Sequence, residues 1–294
     1  MPGKRKQGKS AAHDIGVLAR TRSLEDVVSL LWTGAFDADI FDTPLHVVGG
    51  EAAGGLPFLS RAQSVLPLVA ARDELAFDLT PLGVARTGWR VLNLLTSVAA
   101  ESHELEATVE ETLARVWAPE SNDAPSILRA ALIVSAGTEP DVTSVTARCV
   151  ASARSSPYSV VTAALAALDG LTHDGGVERV EMLFDELGPV RDRRKALAAR
   201  LRRDGHVDGF APEGDPRASL LLEMLPKSKE LTFIRSVSAA AEDVLSARPV
   251  LDLALAALSR SLALPRGSAL VLYALGRSID WIAHAAAEYA ESGR

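Results

Sequence analysis

ALIVSAGTEPDVTSVTARCVASARSSPYSVVTAALAALDGLTHDGG, residues 131–176, decides the fold: helical stretches interrupted by two polar breaks. Ile127 to Ser135 and Val142 to Ala153 carry apolar residues at roughly helical intervals. Pro157 to Leu168 is a helix rich in small residues, among them Ala163, Ala164, Ala166 and Ala167, which let helix backbones approach closely. The breaks read Ala136-Gly137-Thr138-Glu139-Pro140-Asp141 and Gly170-Leu171-Thr172-His173-Asp174-Gly175-Gly176. Each places polar or titratable groups between apolar helices.

Outward from this stretch the same punctuation recurs. Ser23 followed by Asp26 makes a capping box, Val27, Leu30 and Leu31 supply an apolar face, and Gly34 stops the helix. Pro44 to Pro57 reads as loop. Helical spacing runs over Val65 to Ala76, with Pro67 in the first turn where a missing donor is tolerated. It continues over Gly88 to Glu101 and Leu105 to Trp117. Val177 to Leu187 and Arg191 to Arg203 are amphipathic, and Arg217 to Leu225, Leu231 to Leu245, Leu251 to Leu262 and Ser268 to Tyr289 complete the series. No run of strict alternation predicts a substantial sheet, and no internal repeat is present, so the expected fold is all-α.

Composition narrows the function classes. At 294 residues the chain can bury one large core or two unequal ones, and 48% hydrophobic residues make it globular. Aromatics at 5% suit closely packed helices. A net charge of -7 argues against nucleic acid as the main partner, and no apolar run approaches the ~18 residues of a membrane span. Lys4, Arg5, Lys6 and Lys9 form a basic tail expected to be solvated. No apolar signal sequence follows it, so a cytoplasmic location is expected. The single Cys149 rules out an internal disulfide, and its neighbours Val145 and Val150 predict a packed thiol. The six histidines show no metal-ligand spacing, so neither a metal nor a permanently bound cofactor is expected.

The two breaks resemble the central motifs of the citrate synthase family, S/A-D-H-E-x-N-x-S-x-x-x-A-R-x-x-A-S and G-P-L-H-G-G-A. The family's first histidine falls on Thr138 and its second survives as His173. SLEDVVSLLWTG, from Ser23, resembles S-x-E-E-V-A-x-L-L-x-x-G. Pro249-Val250-Leu251-Asp252 resembles P-N-x-D, and Gly214-Asp215-Pro216-Arg217-Ala218 matches G-D-P-R-A. Tyr273 to His284 resembles F-A-x-x-R-x-x-G-W-x-A-H, with Arg277 at the arginine and Asp280 at the glycine. The resemblance spans Ile15 to Arg294. It implies a large helical domain from residues 1–173 and 258–294 and a smaller helical domain over 174–257.

The implied reaction condenses an acyl-CoA, such as acetyl-CoA, with oxaloacetate or another 2-oxo acid. Such a step needs a base for the methyl proton, a donor to the thioester oxygen and an electrophile for the acceptor carbonyl. Arginine forks hold the acceptor's carboxylates. The resemblance makes Asp252 the base and His173 the donor, and puts Arg217, Arg277 and the Thr138 position at the acceptor. The residues alone leave other readings open: Asp252 as a helix cap, His173 as a loop residue beside glycines, and Arg217 on the surface of a Pro-initiated helix. His284 reads as structural.

Departures from the pattern are specific. Where the family reads P-G-F-G-H-P-x-Y-P-x before G-D-P-R-A, this chain has Asp208-Gly209-Phe210-Ala211-Pro212-Glu213, which aligns with four residues deleted around the histidine. His206 takes its place only if the loop is instead lengthened by two. The family's N-terminal Y-R-G segment and its C-terminal R-P-x-A-x-Y extension, with a third arginine, have no counterpart, so a degenerate and truncated member is expected. Two functions follow: a weak or altered acyltransferase, or an inactive pseudoenzyme that pairs with an active homologue. A helical scaffold unrelated to the family would require three motif spacings to coincide by chance. The expected assembly is a homodimer or a heterodimer with a citrate synthase homologue.

Overall fold

The computed structural model describes residues 14–41, 55–102, 105–106, 108–137, 141–170 and 176–292. The basic tail and most of the Pro44–Pro57 loop lie outside the described residues. The first half holds α1 (Ile15–Thr21), α2 (Leu24–Thr33), α3 (Phe58–Ala70), α4 (Pro81–Ala100), α5 (Val109–Trp117), α6 (Ala124–Ser135), α7 (Val142–Ser152) and α8 (Pro157–Leu168). After α9 (Gly176–Leu187) and α10 (Arg193–Asp204) come β1 (Phe210–Ala211), α11 (Pro216–Met224), α12 (Lys229–Leu245), β2 (Arg248–Pro249), α13 (Leu251–Ser261) and α14 (Ser268–Ser292). The fold is all-α, as expected, and the strands form one two-residue antiparallel pair.

Caps explain most boundaries. Ser23 accepts from the Asp26 amide at 3.0 Å and Gly34 closes α2 with φ +80°, as the sequence predicts. Three expected starts are corrected. α4 begins at Pro81, not Gly88, because Thr80 caps it by accepting from the Gly83 amide. α5 begins at Val109, not Leu105, because Thr108 caps it by accepting from the Glu111 amide. α3 runs from Phe58 to Ala70 rather than from Val65 to Ala76, because its buried face already starts at Phe58, Leu59 and Ala62. Pro67 therefore sits inside the helix instead of in its first turn. It lies on the exposed side, where solvent can take the carbonyl it leaves without a donor. The expected packed thiol is also corrected: Cys149 is exposed. α7 buries Thr143, Ser144, Ala147 and Ala151, so Val145 and Cys149 fall on its outer face.

α14 is the element the others gather around, packing against α2, α4, α6, α7, α8, α9 and α13. Its contact with α6 is tight: a Cβ built on Gly276 would lie 2.4 Å from the Ser135 Cβ and 2.7 Å from the Leu132 carbonyl oxygen. That approach brings the next residue, Arg277, to the end of α6. A second buried ion pair, Arg90 to Asp73 at 3.1 Å, takes a hydrogen bond from the Tyr158 hydroxyl at 2.9 Å and ties α4 to α8. Downstream, α9 packs on α13, α10 on α12, and α11 and α12 on α13. The strand pair joins the turns before α11 and α13. Phe210 stands opposite Pro249, the Val250 amide donates to the Gly209 carbonyl at 3.0 Å, and the Asp215 amide donates to the Pro249 carbonyl at 3.0 Å. Gly209 is required here, because its φ is +84° and a Cβ would come 2.7 Å from Val180.

Gly276→Ala should lower stability by about 1–3 kcal/mol through overpacking, despite the gain of about 1 kcal/mol in helix propensity. Chemical denaturation of the variant checks this; a neutral or stabilised variant would mean that α6 and α14 are not in close contact.

Candidate active site

A cavity of about 410 Å³ opens where the ends of α6 and α7, the strand-paired turns and α14 meet. Asp141, Asp215, Arg217, Asp252, Tyr273 and Arg277 line it. A larger hollow of about 820 Å³ lies beside Phe58, Trp117 and Arg266, and among the described residues none of the sequence-predicted site residues borders it. Convergent charge, rather than size, marks the smaller cavity as the candidate site.

Arg277 is the most enclosed of these groups. Its side chain is 3% exposed. Nη1 donates to the Gly137 carbonyl at 2.6 Å, and Nη2 donates to Ser144 Oγ at 2.6 Å. Two carboxylates neutralise it: Asp280 Oδ2 at 3.1 Å, fully buried one turn along the same helix, and Asp141 Oδ2 at 3.3 Å. The Ser144 hydroxyl in turn donates to Asp280 at 3.3 Å, and His284 Nε2 stands 3.4 Å from the same oxygen. Asp141 also caps α7. Its Oδ1 accepts from the Ser144 amide at 2.8 Å and the Thr143 hydroxyl at 2.7 Å. The Thr143 oxygen itself accepts from the Trp281 indole at 2.8 Å. Burial pushes the Asp141 carboxyl up, but the bonds from Thr143 and Ser144 and the Arg277 charge outweigh it, holding it below the usual carboxylate range.

Arg217 occupies the first turn of α11 and is gripped by the residue that caps it. Asp215 accepts from the Arg217 amide at 2.8 Å, from Nε at 3.0 Å and from Nη2 at 2.7 Å. Nη1 is on the other edge of the guanidinium, where a Cβ on Gly137 would come within 2.9 Å. Asp252 lies in the first turn of α13 and is not its cap; that position is Val250, which makes no side-chain capping bond. The Asp252 carboxylate instead presses on the start of α9, since a Cβ on Gly176 would fall 2.4 Å from Oδ2. The positive end of a helix dipole favours an anion there. Burial pushes the Tyr273 hydroxyl up to about 12, with Asp141 and Asp252 raising it and Arg277 and Arg217 opposing. Tyr273 is therefore a neutral donor at ordinary pH.

The structure thus brings three of the five sequence-predicted residues, Asp252, Arg217 and Arg277, around one cavity. The other two, Thr138 and His173, lie outside the described residues. His206 is not at the cavity: it stands on the turn after α10, its side chain 69% exposed, with Nδ1 3.1 Å from the Asp204 carbonyl oxygen. Sequence reasoning did not pick out Asp141, Asp215 or Tyr273. The signals were present, in an acidic residue at the pattern's asparagine, the aspartate of G-D-P-R-A and a tyrosine at the pattern's phenylalanine. Chemically, the cavity offers one carboxylate base, one phenol donor and two guanidiniums already engaged by carboxylates.

Comparison with known proteins places this geometry. Residues 87–294 match the family model of the citrate synthase C-terminal domain. The chain belongs to the citrate synthase family. Citrate synthase 2 of Bacillus subtilis (strain 168) is 31% identical over 173 residues, 54% of this chain and 46% of that protein. The alignment therefore spans under half the length of this curated relative. Solved structures with the same fold include the citrate synthase of Thermotoga maritima MSB8, at 21% identity and TM-score 0.71 over 92% of this chain and 82% of that one. Another is the citrate synthase of Thermoplasma acidophilum in a ternary complex with carboxymethyl coenzyme A and oxaloacetate, at 19% identity and TM-score 0.75 over 94% and 84%.

The depressed Asp141 carboxyl fixes a sign. A carboxyl whose folded pKa lies below its unfolded 3.8 contributes stability above that value, and the contribution is lost as pH falls through the folded pKa. Asp141→Asn keeps a capping side chain and removes the charge. It should cost about 1–3 kcal/mol at pH 7, the worth of a hydrogen bond to a charged group, with the deficit shrinking below about pH 3.8. Thermal unfolding of both proteins between pH 7 and 3 reads this out; a deficit independent of pH would mean that the carboxylate does not engage Arg277.

Proposed function

We propose that this member of the citrate synthase family is an acyl-CoA:2-oxo acid acyltransferase whose condensation step is slow. The reading is carried by Asp252, whose carboxylate is held against Gly176 at the start of α9 and faces a cavity with two arginines. His173 is three residues before Gly176 in the chain. Asp252 takes the proton from the carbon next to the thioester, and the electron pair moves onto the thioester oxygen, which His173 stabilises by donating a hydrogen bond. The enol carbon then attacks the 2-oxo carbonyl of an acceptor whose carboxylate Arg217 seats, at the acceptor end that Arg277 and Thr138 would border. The carbonyl oxygen takes up a proton as the new hydroxyl, and water cleaves the thioester to release free CoA. The relative solved with carboxymethyl coenzyme A and oxaloacetate supports this substrate pairing.

Slowness follows from the missing electrophiles. Thr138 stands at one acceptor-site histidine, and the turn from Asp208 to Asp215 contains none at the other. One lost preorganised donor costs roughly a hundred- to a thousandfold. The alternative, an inactive partner of a full-length homologue, is favoured by the same losses. In this reading residues 1–173 and 258–294 form one unit and 174–257 the other.

The two functions part at proton exchange, because that step needs base and thioester donor but no acceptor carbonyl. Acetyl-CoA at saturating concentration in heavy water should lose methyl protons. Asp252→Asn should abolish the exchange, and His173→Ala should slow it roughly a hundred- to a thousandfold. Exchange no faster than in the Asp252→Asn protein would discard the enzyme in favour of the partner protein. For assembly we propose a two-fold dimer through α7 and α8; α7 exposes Val142 at 52% and Val145 at 62% on its outer face. Light scattering should find a dimer at micromolar concentration, and Val145→Asp should shift it toward monomer; a monodisperse wild-type monomer would refute this arrangement.

A further inference from the structure

Asp141 and Asp280 stand where the family pattern has asparagine and glycine, and both face the same guanidinium. Asp280 approaches Arg277 to 3.1 Å from within α14, and Asp141 approaches to 3.3 Å from the start of α7. Together with the Gly137 carbonyl and Ser144 they take up both terminal nitrogens of a side chain that is 3% exposed. Among the described residues the cavity and its floor then hold Asp141, Asp215, Asp252 and Asp280 against Arg217 and Arg277. That is a formal excess of two negative charges. The pattern's own aspartate falls on Gly137, so against the pattern the chain gains one carboxylate here, and both of the new ones face Arg277. A dicarboxylate would meet this excess in a low-dielectric setting, where like charges repel strongly.

From this we infer that the acceptor is a 2-oxo acid with a single carboxylate, seated by Arg217, and that Asp141 and Asp280 close Arg277 to a second one. The inference rests on the acyltransferase reading and names its substrate class. Arg217 is the more open of the two arginines, 15% exposed against 3% for Arg277, and lines the cavity from the first turn of α11.

The test compares pyruvate and glyoxylate with oxaloacetate as acceptors, at saturating acetyl-CoA, by thiol release and by calorimetry of acceptor binding. Exchange of acetyl-CoA methyl protons in heavy water is followed in parallel. The wild-type protein should prefer at least one monocarboxylate by tenfold or more in kcat/KM or in affinity. Asp141→Asn/Asp280→Gly, which restores the pattern, should move the preference toward oxaloacetate by at least tenfold. Asp280→Asn, which preserves shape where glycine inside α14 costs stability, should move it the same way by a smaller factor. Exchange with equal or better use of oxaloacetate by the wild type, or with no acceptor bound at all, overturns the monocarboxylate inference and leaves the enolising site intact. Absence of exchange overturns the acyltransferase reading and this inference with it.

Discussion

A guanidinium taken out of water must be neutralised where it lies, and the architecture around the cavity is arranged to do this for Arg277. Leaving such a charge without partners would cost several kcal/mol, so the helices that supply them are bound to one geometry. Ser144 and Asp141 come from the start of α7, the Gly137 carbonyl from the end of α6, and Asp280 from the next turn of α14 itself. Asp141 serves twice, capping α7 with one oxygen and facing Arg277 with the other. The start of a helix and the charge balance of the cavity are therefore one interaction. Gly276 completes the constraint by letting α14 approach α6 closely enough for the carbonyl to be reached.

Around that fixed point the second half of the site is set by backbone. The two-residue strand pair is too small to count as a sheet, yet it aligns the turn bearing Asp215 and Arg217 with the turn bearing Asp252. A longer loop before Asp215 would be free to fold over the cavity; the short one is consumed by the hydrogen bonds of Gly209 and Asp215. The same economy of chain that builds the ladder leaves no room on it for a polarising histidine.

Helix content was legible because apolar spacing and capping residues agree along most of the chain; α8 and the cap pair of α2 fall where the residues place them. The misplaced starts of α3, α4 and α5 share a cause. Periodicity reports the buried face, whereas Thr80 and Thr108 decide where the backbone enters the helix. Cys149 was misjudged because neighbours in sequence were taken as neighbours in space, and on a helix Val145 shares its outer face, not its core. At the site, the motif arginines and Asp252 could be found by their resemblance to the family's motifs. Who pairs with whom could not. That Asp280 turns inward to Arg277, a relation of i and i+3, needs the helix to be seen against α7.

The pairing also bears on what a vestigial site would look like. A guanidinium that binds a substrate must be held by neutral groups loosely enough to exchange them for the ligand. One closed by two carboxylates gains stability and loses that freedom, since a ligand carboxylate would have to displace a partner already desolvated and already aligned. Here Asp141 and Asp280 both face one guanidinium, with Ser144 bridging them by donating to Asp280 while accepting from Arg277. Asp252 lines the same cavity from the first turn of α13 and is pressed on the start of α9. Under the proposed acyltransferase reading, an altered acceptor half beside a carboxylate in the base's position is what a change of substrate requires, and a protein kept only for its helices has no physical need of it.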